Sequence, residues 1–204
     1  MIVTLELAPG TMWTEQSLSD LIGIGRTPIR EALKRLDADR LIETVPRHGV
    51  RISEINLYEQ LQVVEFRLHL EHLISGWAAR RALPQEKSRL IEMALSFEDS
   101  ARRNDVRSYL RTVFVANEFI AECARNHFVT MAIAPLLGLS RRFYYKYHDQ
   151  LDNLEQMSSL HAARARAVAM GDPAVAEAAA DVLTRSIEKY TRAIFLKDVG
   201  RADT

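Results

Sequence analysis

Two patterns of hydrophobic and polar positions divide the 204-residue chain. Before Ser53 to Asn56 the apolar residues come in short groups punctuated by Gly and Pro. From Leu57 to about Lys197 they recur at helical spacing with few breakers. A small module over residues 1–55 and a larger all-helical unit over residues 56–204 are therefore expected.

In the small module Pro9-Gly10 marks a turn, and Thr14 is placed to cap a short helix in which Leu18, Leu21 and Ile22 share a face and which Gly23 can end. Thr27-Pro28 predicts a second start, with a hydroxyl cap and proline at the first helical position. Beyond it Ile29, Ala32, Leu33 and Leu36 line one side, and Arg30, Lys34 and Arg35 project from the other. Leu41 to Val45 and Val50 to Ile52 predict two strands around the basic tip Pro46-Arg47-His48-Gly49. Helix, tight turn, helix and basic hairpin is the order of a winged helix-turn-helix. The larger unit predicts six helices: Leu57 to Leu83, Pro84 to Arg103, Asp105 to Arg125, Phe128 to His148, Asp152 to Met170 and Pro173 to Leu196, with a kink at Pro135. The expected fold is mainly α, a winged helix-turn-helix followed by a bundle of six to seven helices.

Composition narrows the setting. At 48% hydrophobic and 26% charged residues the chain has enough apolar side chains for a sizeable core. No run approaches ~18 apolar residues, and the opening MIVTLELAPG lacks the features of a signal peptide, so a cytoplasmic protein without a membrane partner is expected. The single cysteine, Cys123, has no internal disulfide partner and reads as a buried small residue. Net charge is zero, but residues 24–51 hold seven basic residues (Arg26, Arg30, Lys34, Arg35, Arg40, Arg47, Arg51) against four acidic ones (Glu31, Asp37, Asp39, Glu43), a local excess of three positive charges. Arg26, Thr27 and Arg30 stand at the start of an exposed helix, where dipole and free N–H groups also favour phosphate and where arginine can reach guanine edges.

These residues resemble a known family. Pro9-Gly10, then Gly25-Arg26-Thr27-Pro28-Ile29-Arg30-Glu31-Ala32-Leu33, then Pro46-Arg47-His48-Gly49-Val50 are similar to the winged-helix domain of GntR-type bacterial transcriptional regulators. The helices that follow, with Glu65, Arg67 and Glu71 on the first and Asn126 after the third, are similar to the FadR-like branch and its effector-binding FCD domain. The resemblance implies a homodimeric, ligand-responsive regulator, a repressor of double-stranded operator DNA. It carries the DNA contacts onto Arg26, Thr27 and Arg30 of the recognition helix and onto Arg47, His48 and Gly49 of the wing. Gln16 stands where relatives often carry Arg, and Gly25 where the pattern usually has Ser or Thr. Only Ile2 to Leu7 precede Pro9-Gly10, so the family's first helix is expected to be cut short.

Many FCD domains hold a divalent metal through an Asp, a His four residues later and two further His. The corresponding positions here are Val113, Asn117, His161 and Leu183, of which two have no lone pair to donate, so no metal and no cofactor are expected. A rival grouping joins His69 and His72 to His161. Burial of Arg67, Asn117, Arg142 or His161 would call for partners that a small carboxylate metabolite can supply. Arg67 has a second reading, as a structural ion pair with Glu65, Glu71 or a neighbouring helix. The run Phe143-Tyr144-Tyr145-Tyr147 offers lining for a pocket, although most of it is expected to pack. Two other classes stay in view, a metal-dependent enzyme built in the bundle and a helical protein-interaction module. The first needs paired Glu-x-x-His motifs, which Glu118 to Ala121 and Glu155 to Ser158 do not provide, so no enzyme is expected.

Overall fold

The computed structural model describes residues 1–150 and 153–202, with side chains as far as residue 198. The N-terminal unit runs β1 (Met12–Trp13), α1 (Glu15–Ile22), α2 (Arg26–Ala38), β2 (Ile42–Val45) and β3 (Gly49–Ile52). Thr14 caps α1: its hydroxyl accepts from the Ser17 N–H at 3.0 Å, and Ser17 Oγ accepts from the Thr14 N–H at 2.9 Å. Gly23 ends the helix in the left-handed region, at φ 77°.

The start of α2 departs from expectation. The Gly25 carbonyl already accepts from the Ile29 N–H at 3.3 Å, so the first turn closes earlier and Thr27 lies inside the helix with no capping bond. Pro28 takes the third helical position, where its missing N–H still belongs to the unsatisfied first turn. The preceding residues 1–8 form turns rather than a helix, and Leu7 is buried with Leu18, Ile29, Leu33, Ile42, Val50 and Ile52 in the unit's core.

The three strands order as β1-β3-β2, all antiparallel, with Val45 opposite Gly49 and Trp13 opposite Val50. The β2–β3 hairpin was expected. The third strand, β1, was not, because two residues are too short to display a period.

Six helices follow: α3 (Leu57–Arg81), α4 (Pro84–Arg102), α5 (Val106–Cys123), α6 (His127–Tyr147), α7 (Leu154–Met170) and α8 (Pro173–Ala202). Their limits lie within a few residues of the periodic pattern except at the end of α8, which runs further. Asp152, expected to open the fifth of them, lies outside the described residues. Caps explain the starts: Asn56, Asp105 and Asn126 accept first-turn N–H groups, and Pro84 stands at the first position of α4. α3 lies along α8 and α4 along α7. Ile74, Leu90, Phe97, Ile120 and Leu183 are fully buried between the helices, each stabilising the bundle by about 1.5–3 kcal/mol.

Helix α6 also meets the N-terminal unit. Leu41, buried at the start of the hairpin, lies beside Gly138, and the Arg142 Nη2 donates to the carbonyl of Ser53. Arg40 pairs with Glu59 at 3.1 Å across the same junction, and behind it Gln60 Nε2 on α3 donates to Ser140 Oγ on α6 at 3.4 Å, within the bundle.

Candidate functional site

Two regions gather the polar residues singled out above. The first is the exposed start of α2. Arg26 and Thr27 face solvent there, while Arg30 Nε and Nη2 donate to the two oxygens of Glu15 on α1 at 2.9 and 2.7 Å. That bidentate contact holds the Glu15 carboxyl below the usual carboxylate range. Gln16, one residue on, donates to Asp20 at 2.8 Å and stays on the surface. At the hairpin tip Arg47 and His48 are exposed, Arg47 in the left-handed region at φ 67° and the His48 Nδ1 3.0 Å from the Pro46 carbonyl. Gly49 has a structural duty: at φ 102° it presses against Trp13, whose carbonyl oxygen occupies the place a Cβ would take. The helix-turn-helix thus presents one cationic edge, and β1 buttresses the wing.

The second region lies inside the bundle. Arg67 Nε and Nη2 both donate to Glu71 Oε1, at 3.2 and 2.6 Å, one helical turn away on α3. From α7, Arg164 pairs with the other Glu71 oxygen, donates from Nη1 to Asn117 Oδ1 at 2.9 Å, and donates from Nε to Ser75 Oγ at 2.9 Å. All three charged groups are buried. Burial alone would raise the Glu71 pKa, but Arg164 and Arg67 hold it down at about 2. His161, one turn before Arg164, stacks on Phe97 with centroids 5.1 Å apart, and burial, then Arg164, pushes its pKa down to about 3. The imidazole is therefore neutral at pH 7.

Arg67 and His161 border an internal cavity with Tyr109, Leu110, Val113, Tyr144, His148, Met157, Ile187 and Tyr190. Its free volume is about 20 Å³, the space of one water, so a larger occupant has to displace side chains. Met157 is suited to that by its flexible thioether. The buried Tyr144 hydroxyl, adjacent to Arg67, completes no hydrogen bond among the described residues.

Of the four side chains proposed to hold an effector, Arg67 and His161 reach the cavity. Asn117 is close but committed, its oxygen accepting from Arg164. Arg142 must be corrected: it lies at the junction with the N-terminal unit, donating to Ser53, because its place on α6 faces that unit rather than the cavity. The ion-pair reading of Arg67 holds, with Glu71 as partner, and it coexists with the cavity. Arg164 and Ser75 escaped sequence reasoning. One signal was available: Arg164 follows His161 by three residues and so shares its face of α7.

The four family metal positions do not fit a metal here. Val113 and Leu183 are apolar, Asn117 is engaged by Arg164, and the guanidinium beside it repels a second cation. Among the described residues no three His, Cys, Asp or Glu side chains are grouped to hold an ion. His69 and His72 line a separate depression with Asp181 and Arg185, where His72 Nδ1 lies 3.0 Å from Asp181, and His161 does not join them. Cys123 is buried, and its thiol is pushed up to about 12 by that burial, so it is unreactive.

Comparison with known proteins agrees with this geometry. The family described as bacterial regulatory proteins, gntR family, matches residues 1–52, and the FCD domain matches residues 62–186. Among curated relatives the chain is similar to the HTH-type transcriptional regulator McbR of Escherichia coli K12, 23% identical over 51% of this chain and 47% of that one. It is also similar to the Nta operon transcriptional regulator of Aminobacter aminovorans, 32% identical over 49% of this chain and 48% of that one. The chain thus spans about half the length of these relatives, and 24% of a Streptomyces ambofaciens regulator. Among solved structures it shares the fold of E. coli McbR/YncC, with a TM-score of 0.82 and 15% identity over 95% of this chain and 92% of that one. A Streptococcus agalactiae GntR structure has a TM-score of 0.54 and 19% identity over 89% and 90%.

Proposed function

Because the chain belongs to the gntR family of bacterial regulatory proteins and carries an FCD domain, we propose that it is a cytoplasmic transcriptional repressor whose operator affinity is set by a small carboxylate metabolite. On this reading residues 1–55 read DNA and residues 56–204 bind the effector and dimerise. Two copies related by a two-fold axis would address a two-fold related operator. Phe128 and Met131, exposed one turn apart on α6, offer apolar surface for the second copy.

Arg26, Thr27 and Arg30 would enter the major groove, Gln16 would lie beside the backbone, and Arg47, His48 and Gly49 would approach the minor groove. The observation that carries the regulatory part is the course of α6. Tyr144 on this helix borders the cavity, and Arg142, two residues earlier, grips Ser53 at the base of the wing. An occupant that displaces Tyr144 moves the helix that holds the DNA-reading unit. It changes DNA affinity only through unequal affinity for the two arrangements.

The test is fluorescence anisotropy of DNA taken from upstream of the chain's own gene, with light scattering for the oligomeric state. Binding by a dimer, weakened by replacement of Arg26 and Arg30 and relieved by an organic acid, is the expected result. Equal affinity for this DNA and for scrambled sequence would defeat the reading.

A further inference from the structure

The bundle interior contains a positive charge without a counter-ion. The Arg67 and Arg164 side chains are 3% and 2% exposed, and the one carboxylate between them, Glu71, is 4% exposed. Among the described residues neither arginine pairs with any other acid, and His161 adds no negative charge. Two guanidinium groups therefore share one carboxylate in a region closed to water, which is costly for the excess cation. Arg164 is spent on Glu71, Asn117 and Ser75. Arg67 directs two nitrogens at Glu71 and itself borders the cavity.

We infer that this cavity takes a ligand with a single carboxylate on an apolar body, bound directly to Arg67 with no metal between them, because Arg164 already supplies the fixed cation of the site. The inference rests on reading the cavity as the effector site. One anion neutralises the excess charge. A second carboxylate would meet no further free cation among the described residues: Leu110, Val113, Met157 and Ile187 are apolar, Tyr109 and Tyr190 are neutral phenols, and His148 already has Asp149 3.1 Å from its Nε2 and the Tyr145 carbonyl 2.8 Å from its Nδ1. Donors for the single carboxylate are at hand: Arg67, the Tyr144 hydroxyl that completes no bond, and the imidazole of His161, which borders the same cavity. A divalent ion is disfavoured twice, by the neighbouring guanidinium groups and by Arg164 occupying the Asn117 oxygen.

Calorimetric titration of the EDTA-treated full chain tests this. The probes are butanoate, 4-methylpentanoate, benzoate and 3-phenylpropanoate, each beside its neutral amide, with succinate, adipate and phthalate as dianions. At least one monocarboxylate is expected to bind, with its amide and the dianions weaker by about tenfold or more, and with added zinc or nickel changing little. Arg67→Met removes the binding while leaving the Glu71–Arg164 pair to hold the fold. Tyr144→Phe, a milder change, weakens binding by about three- to tenfold. Tighter binding of a dianion, binding only with added metal, or no binding by any of the monocarboxylates overturns the inference. A dianion that binds and releases DNA overturns it while leaving the effector reading intact. A monocarboxylate that binds as expected yet leaves DNA affinity unchanged upholds the inference and overturns the effector reading instead.

Discussion

Glu15 on α1 clasps Arg30 on α2 through two parallel hydrogen bonds of 2.9 and 2.7 Å. The clasp joins the two helices of the helix-turn-helix at the surface proposed to meet DNA, and it fixes the plane of the guanidinium. Arg30 is thereby pre-oriented rather than left to search rotamers, so less entropy is lost when it binds.

Arg30→Ala is expected to weaken operator binding by ~1–3 kcal/mol, the usual worth of a base-reading arginine. The fold should persist, since Arg30 is exposed and pairs with nothing in the core. Anisotropy at matched salt with a circular dichroism control checks this, and unchanged affinity would remove α2 from its assigned role.

Glu15→Gln separates orientation from charge. Loss of a carboxylate beside the phosphates raises affinity for random DNA, while a loosened Arg30 lowers the preference for the operator. The quantity to measure is the ratio of the two affinities. A ratio that stays constant as both affinities rise would mean that Glu15 contributes charge alone.

In the wing, Gly49→Ala is expected to be worse than His48→Ala. An alanine at φ 102° is strained, and its Cβ meets the Trp13 carbonyl, so the β1–β3 pairing must open at a cost of about 1–3 kcal/mol. His48 is exposed at the tip, and its loss should also reduce affinity less than Arg30→Ala does. Thermal melts and DNA titrations of the three variants rank them directly.

Local chemistry made the N-terminal unit legible in advance. Thr14 and Gly23 announce the limits of α1, and Arg30, Lys34 and Arg35 sit opposite the apolar face of α2. The bundle interior was legible only in part. Of the two readings of Arg67 the ion pair is present, with Glu71 as partner, and the same side chain also borders the cavity, where binding of an effector remains a proposal. Arg164 lies in the alanine-rich stretch of α7, and its partners Glu71, Ser75 and Asn117 come from α3 and α5, so no local spacing reveals the cluster. Arg142 was misplaced for the same reason: helical period tells which residues share a face, not which neighbour that face meets.

The stability of the bundle should fall with pH below neutrality. His161 has its folded pKa lowered to about 3 from an ordinary 6.5, so between these values the unfolded chain binds a proton that the folded chain refuses. Its stabilising contribution is complete above pH 6.5 and is lost as pH falls, by about 2 kcal/mol at pH 5. That corresponds to a drop in Tm of about 4–8 °C. His161→Phe keeps the stack on Phe97 and removes the titration, so its melting curve should be flatter between pH 5 and 7. An equally steep decline in the variant would place the acid sensitivity elsewhere.

The proposed coupling between cavity and wing predicts a particular failure for Arg142→Met. Methionine retains much of the buried volume but cannot donate to the Ser53 carbonyl, leaving that acceptor unsatisfied at a cost of about 1–3 kcal/mol. The cavity is untouched, because Arg142 is not among the residues that border it. A carboxylate that binds the unaltered protein should therefore bind the variant with closely similar affinity. What should diminish is its effect on DNA: coupling of this kind is ordinarily worth about 1–3 kcal/mol, and α6 can no longer pull on the base of the wing through Ser53. DNA affinity measured with and without the acid, in both proteins, isolates that term. Retention of the full ligand-induced change in Arg142→Met would mean that the signal travels by Leu41 and Gly138 or through the dimer, and that Arg142 only secures the joint.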